Sequence, residues 1–346
     1  MSLGNQWTGL MTSGPDVEES EKILDTFYEA GGNFIDTANN YQDNQSEMII
    51  GEWMEKRQNR DEMVVATKYT VMPLNKNGAR YQGIAVNYGG NHRKSMLLSL
   101  EASLKRLRTT YVDIYYLHVW DYTTSVAEVM QALHQLVLSG KVHYLGISDT
   151  PAWIVSEANT YARAHGLTPF AVYQGWYNLA KRDLEREIIP MCRAHGMSIA
   201  GYSVLGGGSF KTAAQREAKK DVRWGFPPSE ADLKASAALE EVAAELGNGV
   251  TLTGVAMAWA RQVVADFIPI VGGSDAEKLK ANIEALKITL TFEQMEKLAN
   301  AVPFDRGFPS SSFGTDPHYR KDGIPNGMIT TTAGHIVATK LPGLDL

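Results

Sequence analysis

Three observations predict an α/β protein built as a (β/α)8 barrel. Short β-rich runs alternate with helical patterns, six of those runs end in a polar or ionisable residue, and no glycine-rich phosphate fingerprint is present. In chain order the strand candidates are 33–37, 62–68, 111–118, 141–148, 170–174, 197–203 and 266–271. Helical patterns fall between them at 17–30, 46–57, 92–108, 125–139, 151–165 and 183–195, with a pair at 231–247 and 251–264 before the last strand. The strand runs are too short and too rich in Val, Ile and Tyr to be helices. Glycines just ahead of the next strand (GGN, SGKV, HGL, HGM) read as helix C-caps. A doubly wound sheet would carry GxGxxG or GxxxxGK[ST] in its first βα turn, and neither occurs. The strand-end residues are Asp36, Lys68, His118, Ser148, Gln174 and Tyr202. A parallel barrel gathers such ends at one mouth.

Seven strands are read, so an eighth would have to precede residue 16, where the sequence is short and poor in strand formers. Residues 1–346 read as a single domain, with 303–346 an extended tail over the barrel. Hydrophobic residues make up 44% and charged residues 21%, ordinary for a globular chain, and the net charge of −6 with no basic run argues against nucleic acid or anionic membrane as partners. No apolar stretch approaches ~20 residues and no secretory signal is read. A lone cysteine, Cys192, excludes an internal disulfide, fits inert helix packing and points to a cytoplasmic location. The expected partner is a small carbonyl or alcohol, and the expected state a monomer or weak homo-oligomer.

Asp36, Tyr41, Lys68 and His118 carry the chemistry. Each alone has a structural explanation: a cap, a surface aromatic, a solvated strand end, a core histidine. Together at a barrel mouth they form a proton-transfer set. A phenol with pKa near ~10 is a weak acid at neutral pH, and an adjacent Lys68 ammonium is expected to lower that pKa. Asp36 would hold the lysine charged despite burial, and His118 would orient a substrate oxygen. Tyr41 could then protonate an oxygen gaining charge, as carbonyl reduction by hydride requires.

GGNFIDTANNYQDNQSEMIIGEW, VVATKY, YVDIYYLHVWDY, LGISDTPAW, VYQGWYNL, GYSVLGGGSF and PIVGG…LKANIEALKITLT occur in that order. From about residue 5 to 310 the chain resembles the aldo-keto reductases, most closely the fungal aryl-alcohol dehydrogenase and norsolorinic-acid-reductase-like branch. The resemblance implies a (β/α)8 barrel that binds NADP(H) without a Rossmann motif, with Asp36, Tyr41, Lys68 and His118 as catalytic tetrad. It implies that Ser148 and Gln174 hold the nicotinamide carboxamide beside Asp149, where asparagine is commoner. Tyr202 would stack on the nicotinamide, and 203–210, including Ser203, Leu205 and Gly207, would cross the pyrophosphate. Gly272, Ser274, Lys278 and Asn282 match the 2′-phosphate site, formed at a helix N-terminus. There Ser274 and Asp275 replace the usual basic residue, so NADP(H) is favoured and NAD(H) stays open. Trp120, Tyr69 and Trp176 are the candidate substrate walls.

Members of that branch carry residues ahead of the position of this Met1, so the resemblance also implies a truncated barrel strand 1 and N-terminal hairpin. Either a stub leaves a gap, with lower stability, or the β-rich segment 328–340 fills it. The function expected is an NADP(H)-dependent oxidoreductase of aryl or polyketide-like carbonyls. A Schiff-base lyase using Lys68, or a nucleotide-binding barrel with little turnover, are the alternatives.

Overall fold

The structure is a computed structural model that describes residues 1, 3–7, 14–72, 84–218 and 227–313. Its elements run α1 (Val17–Glu29), β1 (Phe34–Asp36), α2 (Gln45–Arg57), β2 (Val64–Tyr69), α3 (Arg93–Leu107), β3 (Val112–Leu117), α4 (Val126–Leu138), β4 (Val142–Ser148), α5 (Ala152–Ala164), β5 (Phe170–Trp176), α6 (Ile188–His195) and β6 (Ser198–Tyr202). There follow α7 (Ala213–Ala218), α8 (Glu230–Leu246), α9 (Leu252–Val263), β7 (Phe267–Pro269), α10 (Ala276–Glu284), α11 (Phe292–Ala301) and α12 (Ser310–Phe313). All seven predicted strands form. They make one parallel sheet in the order β1-β2-β3-β4-β5-β6-β7, as successive right-handed crossovers require.

Local chemistry explains the boundaries. Asp16, Ser125, Thr251 and Asp275 each accept a backbone N–H in the first turn of the helix they precede. Ser229 with Asp232, and Thr291 with Gln294, complete reciprocal capping boxes on α8 and α11. Gly140, Gly166 and Gly196 end helices at positive φ (73°, 66° and 67°), the role the sequence assigned them. Helix α6 starts five residues later than its periodicity suggested, at Ile188, because Pro190 fits only the first turn of a helix.

The inward faces of the strands build a small cluster, Ala66, Ile114, Tyr116, Val172 and Ala200. The larger core lies between sheet and helices. One buried charge ties that layer together. Glu47 on α2 is fully buried, accepts from the Thr67 hydroxyl (2.5 Å) and pairs with Arg106 of α3 (2.6 Å).

Among the described residues no strand joins β7 to β1, and residues 1, 3–7 and 14–16 carry no strand. The outer ring nevertheless closes there. Helices α1 and α10 pack together, and Glu19 accepts the Ala276 backbone N–H at 3.2 Å. Segment 328–340 and tail residues 314–346 lie outside the described residues. Residues 304–306 are pinned to the loop after β5, where Arg186 donates to the Asp305 carbonyl and Arg182 and Arg186 face the Phe304 ring.

Replacing Glu47 by alanine should cost about 2–4 kcal/mol, because the partly buried Arg106 and the buried Thr67 lose their partner together. Denaturant titration measures it; a loss below about 1 kcal/mol would mean the pair contributes little.

Candidate active site

Period-two alternation aims Asp36, Lys68 and Tyr116 into the barrel from β1, β2 and β3. Lys68 is fully buried. Its ammonium donates to both Asp36 oxygens (2.7 and 2.8 Å) and to the Thr37 carbonyl (2.7 Å), which uses all three N–H groups. Gln174 from β5 donates to Asp36 Oδ2 at 2.8 Å and fixes the carboxylate from across the barrel.

Tyr41 stands on the loop after β1. Its hydroxyl lies 3.5 Å from His118 Nε2, the two rings meet edge to face at 5.7 Å, and Lys68 Nζ sits 5.0 Å from the phenol ring centroid. The structure therefore unites Asp36, Tyr41, Lys68 and His118, but corrects one expectation. The ammonium faces the Tyr41 ring and spends its protons on Asp36 and Thr37. Burial, then the Asp36 and Asp149 charges, raise the Tyr41 pKa well above its ordinary value. Tyr41 thus holds its proton firmly. Burial also pulls the Lys68 ammonium down, with Asp36 opposing. A lysine with three satisfied donors is a poor amine nucleophile, which weighs against Schiff-base chemistry. Burial and the Lys68 charge push His118 down to about 3, so the imidazole is neutral. Its Nδ1 is buried without a hydrogen-bond partner.

The neighbouring strand ends form a second patch. Ser148 Oγ is buried and unpartnered, an orphan that a carboxamide would satisfy. Asp149 follows in a left-handed conformation (φ 42°) and accepts from the Tyr202 hydroxyl at 3.2 Å; desolvation raises its carboxyl to about 6. Tyr202 lies stacked toward Trp176, centroids 6.3 Å apart. Beyond it, Ser203 and Gly206, Gly207 and Gly208 all take positive φ, a tight glycine turn whose backbone can approach an anion. Leu205 opens that turn. These residues fit a bound nicotinamide dinucleotide.

The last part of the cofactor reading fits less well. Asp275 caps α10 by accepting the Lys278 N–H (2.9 Å), and Lys278 Nζ turns back onto Asp275 (2.5 Å) and Ser274 (2.6 Å). With the Ala276 N–H held by Glu19, this helix N-terminus is already occupied by carboxylates rather than open to a phosphate. Gly272 is exposed and Asn282 half-buried.

Of the candidate walls, Trp176 is exposed at the mouth and Trp120 is buried after His118. Tyr69 is a correction. It is fully buried and stacks on Tyr115 (5.2 Å), because alternation turns it outward when Lys68 turns in. Two residues escaped the sequence reading. Trp7 meets the Tyr41 ring edge to face at 6.1 Å, with its backbone N–H held by Gln42 (2.9 Å); only the fold brings it there. Tyr116 shares the inward face with His118 two residues later, a spacing legible in YYLH.

The aldo/keto reductase family model matches residues 1–302. An aryl-alcohol dehydrogenase [NADP(+)] of Phanerodontia chrysosporium is 49% identical over 346 residues, covering 97% of this chain and 87% of its own. A norsolorinic acid reductase of Aspergillus flavus is 48% identical over 309 residues, covering 89% and 78%.

With His118 pushed to about 3, its ring should stay neutral from pH 8 to about 5. Nitrogen-15 NMR of labelled histidine, assigned with His118→Gln, reads this directly. An imidazolium forming near pH 6 would contradict the burial described.

Proposed function

The chain belongs to the aldo/keto reductase family, and from that premise we propose that it interconverts carbonyls and alcohols with NADP(H), acting as one barrel domain. Bound NADPH supplies the hydride. The observation that carries the reading is the fully buried Lys68–Asp36 pair behind Tyr41, with neutral His118 Nε2 3.5 Å from the phenol oxygen. The substrate oxygen is received between that hydroxyl and His118, with the imidazole proton on Nε2 so that it donates. Tyr41 gives its proton as the oxygen gains charge. Lys68 balances the phenolate left behind, and Asp36, held by Gln174, keeps the ammonium in place. A phenol with a raised pKa is loaded for reduction at neutral pH. The reverse reaction must take the proton back, so oxidation gains as pH rises.

Ser148, Asp149, Gln174 and Tyr202 seat the nicotinamide in this reading, and the glycine turn with Ser203, Leu205 and Gly207 faces the pyrophosphate. Gly272, Ser274, Lys278 and Asn282 surround the adenosine end. The Phanerodontia relative's name specifies NADP(+), which supports NADP(H) here despite the carboxylates at α10. Trp7, Trp120 and Trp176 suit a flat aryl substrate, in keeping with the aryl-alcohol and norsolorinic acid names of the relatives. The enzyme works in the cytoplasm as a monomer or weak homo-oligomer.

Tyr41→Phe should lower kcat for aryl-aldehyde reduction by about 100-fold or more while NADPH binding, read by fluorescence titration, stays within about twofold. Full activity in that variant would overturn the mechanism. Asp275→Asn keeps a helix cap but removes the carboxylate, so NADPH should bind about fivefold tighter, roughly 1 kcal/mol, with NADH unchanged. An equal change for both cofactors would place the 2′-phosphate elsewhere.

A further inference from the structure

Tyr116 is the largest polar side chain inside the barrel that the proposed chemistry leaves without a task. It is fully buried on β3, directly across from Lys68 in the β2–β3 register. Its other register partner is Gly146 of β4, where an added Cβ would run into the Tyr116 ring. A glycine at 146 thus leaves the space that the Tyr116 ring occupies. Lys68 Nζ stands 5.5 Å from the Tyr116 ring centroid and 5.0 Å from that of Tyr41. Both distances fall within the range at which a ring face attracts a cation. The Tyr116 hydroxyl, by contrast, is buried with only the Gln174 side chain near it.

We propose that Tyr116 is a positioning residue for Lys68, its ring face acting as the floor that keeps the desolvated ammonium charged and aimed at Asp36. The proposal rests on the reductase reading above for its consequence in turnover, and on geometry alone for the contact itself. A fully buried ammonium has lost its water, so its charge depends on what replaces the water. Asp36 from β1 touches it, while Glu47 on α2 and Asp149 after β4 act from farther off. His118 is neutral and Tyr41 keeps its proton. Asp36 and Thr37 take up the three N–H groups, and the Tyr41 and Tyr116 rings face the same charge. The ring, and not the hydroxyl, is the part that faces the ammonium; the hydroxyl is met only by Gln174.

The sign follows. A ring quadrupole favours the charged lysine, so weakening it lowers the pH at which Lys68 loses its proton. The phenolate formed at Tyr41 during reduction is then left unbalanced at lower pH.

The test replaces Tyr116 by phenylalanine and by its trifluoro and pentafluoro analogues, which keep the ring's shape while draining its face of negative charge. Tyr116→Leu serves as a harsher variant. Lys68 is labelled with carbon-13 at Cε and titrated, a readout independent of turnover, and kcat and KM for benzaldehyde reduction by NADPH are followed with pH. Phenylalanine should leave the Lys68 midpoint and kcat within about twofold of wild type. The pentafluoro ring should lower the midpoint by about one pH unit and kcat by about tenfold, with KM for benzaldehyde within about twofold. A Lys68 midpoint that does not move along the fluorinated series overturns the proposal, as does a phenylalanine variant as impaired as the pentafluoro one. Wild-type protein inactive toward the aldehyde would instead count against the reductase reading, with the titration still deciding the contact.

Discussion

A charge buried without water is the constraint around which this barrel mouth is arranged. Lys68 has no exposed surface, and an ammonium in that position is tolerable only if every proton finds an acceptor. Asp36 and the Thr37 carbonyl meet that demand, which fixes the end of β1 against β2. Gln174 then fixes Asp36 from the far side of the sheet. Four residues so locked leave Tyr41 little freedom. Its loop turns into α2 through three consecutive left-handed residues, Gln42, Asp43 and Asn44 (φ 52°, 52° and 74°), a costly route. Hydrogen bonds hold it there: Gln42 accepts the Trp7 backbone N–H, and Thr37 donates to Ser46. Strain of this kind persists only where its surroundings over-determine it, and the tyrosine is delivered to His118 as a result.

The same demand separates the two halves of the site. On the tetrad side, Lys68 and Asp36 are fully matched and His118 Nε2 faces the Tyr41 hydroxyl. On the strand ends opposite, Ser148 Oγ waits unpartnered and Asp149 is only weakly held by Tyr202. Matched atoms hold chemistry in place, and unmatched atoms are what a ligand completes. The α10 terminus breaks the pattern, because Asp275 and Glu19 already complete it.

Much of this was legible in the chain, and the misses have physical causes. Strands β1 to β7 and the polar residues at their ends follow from short β-branched runs and helix-capping glycines. Asp36, Lys68 and His118 could be placed at one mouth because parallel strands share a direction. Tyr69 failed because the reading placed it near Lys68 without applying the strand's alternation, which sends neighbours to opposite faces. Tyr116 was available by the same rule. Helix α11 was also available, since TFEQ is a capping box. Trp7 was not, as its contact with Tyr41 spans the fold. Nor could the sequence show that Lys68 would face the Tyr41 ring rather than its hydroxyl. That orientation depends on how three acceptors compete for three protons.

If Lys68 and Asp36 act on Tyr41 as one unit, removing either should disable what the other supplies. The decisive measurement is a double-mutant cycle on kcat for aldehyde reduction with Asp36→Asn, Lys68→Met and the pair combined. The double variant should be no slower than Lys68→Met alone, within about threefold. Two losses that simply multiply would mean the carboxylate and the ammonium act independently, and the buried pair would not be the organising interaction of the site.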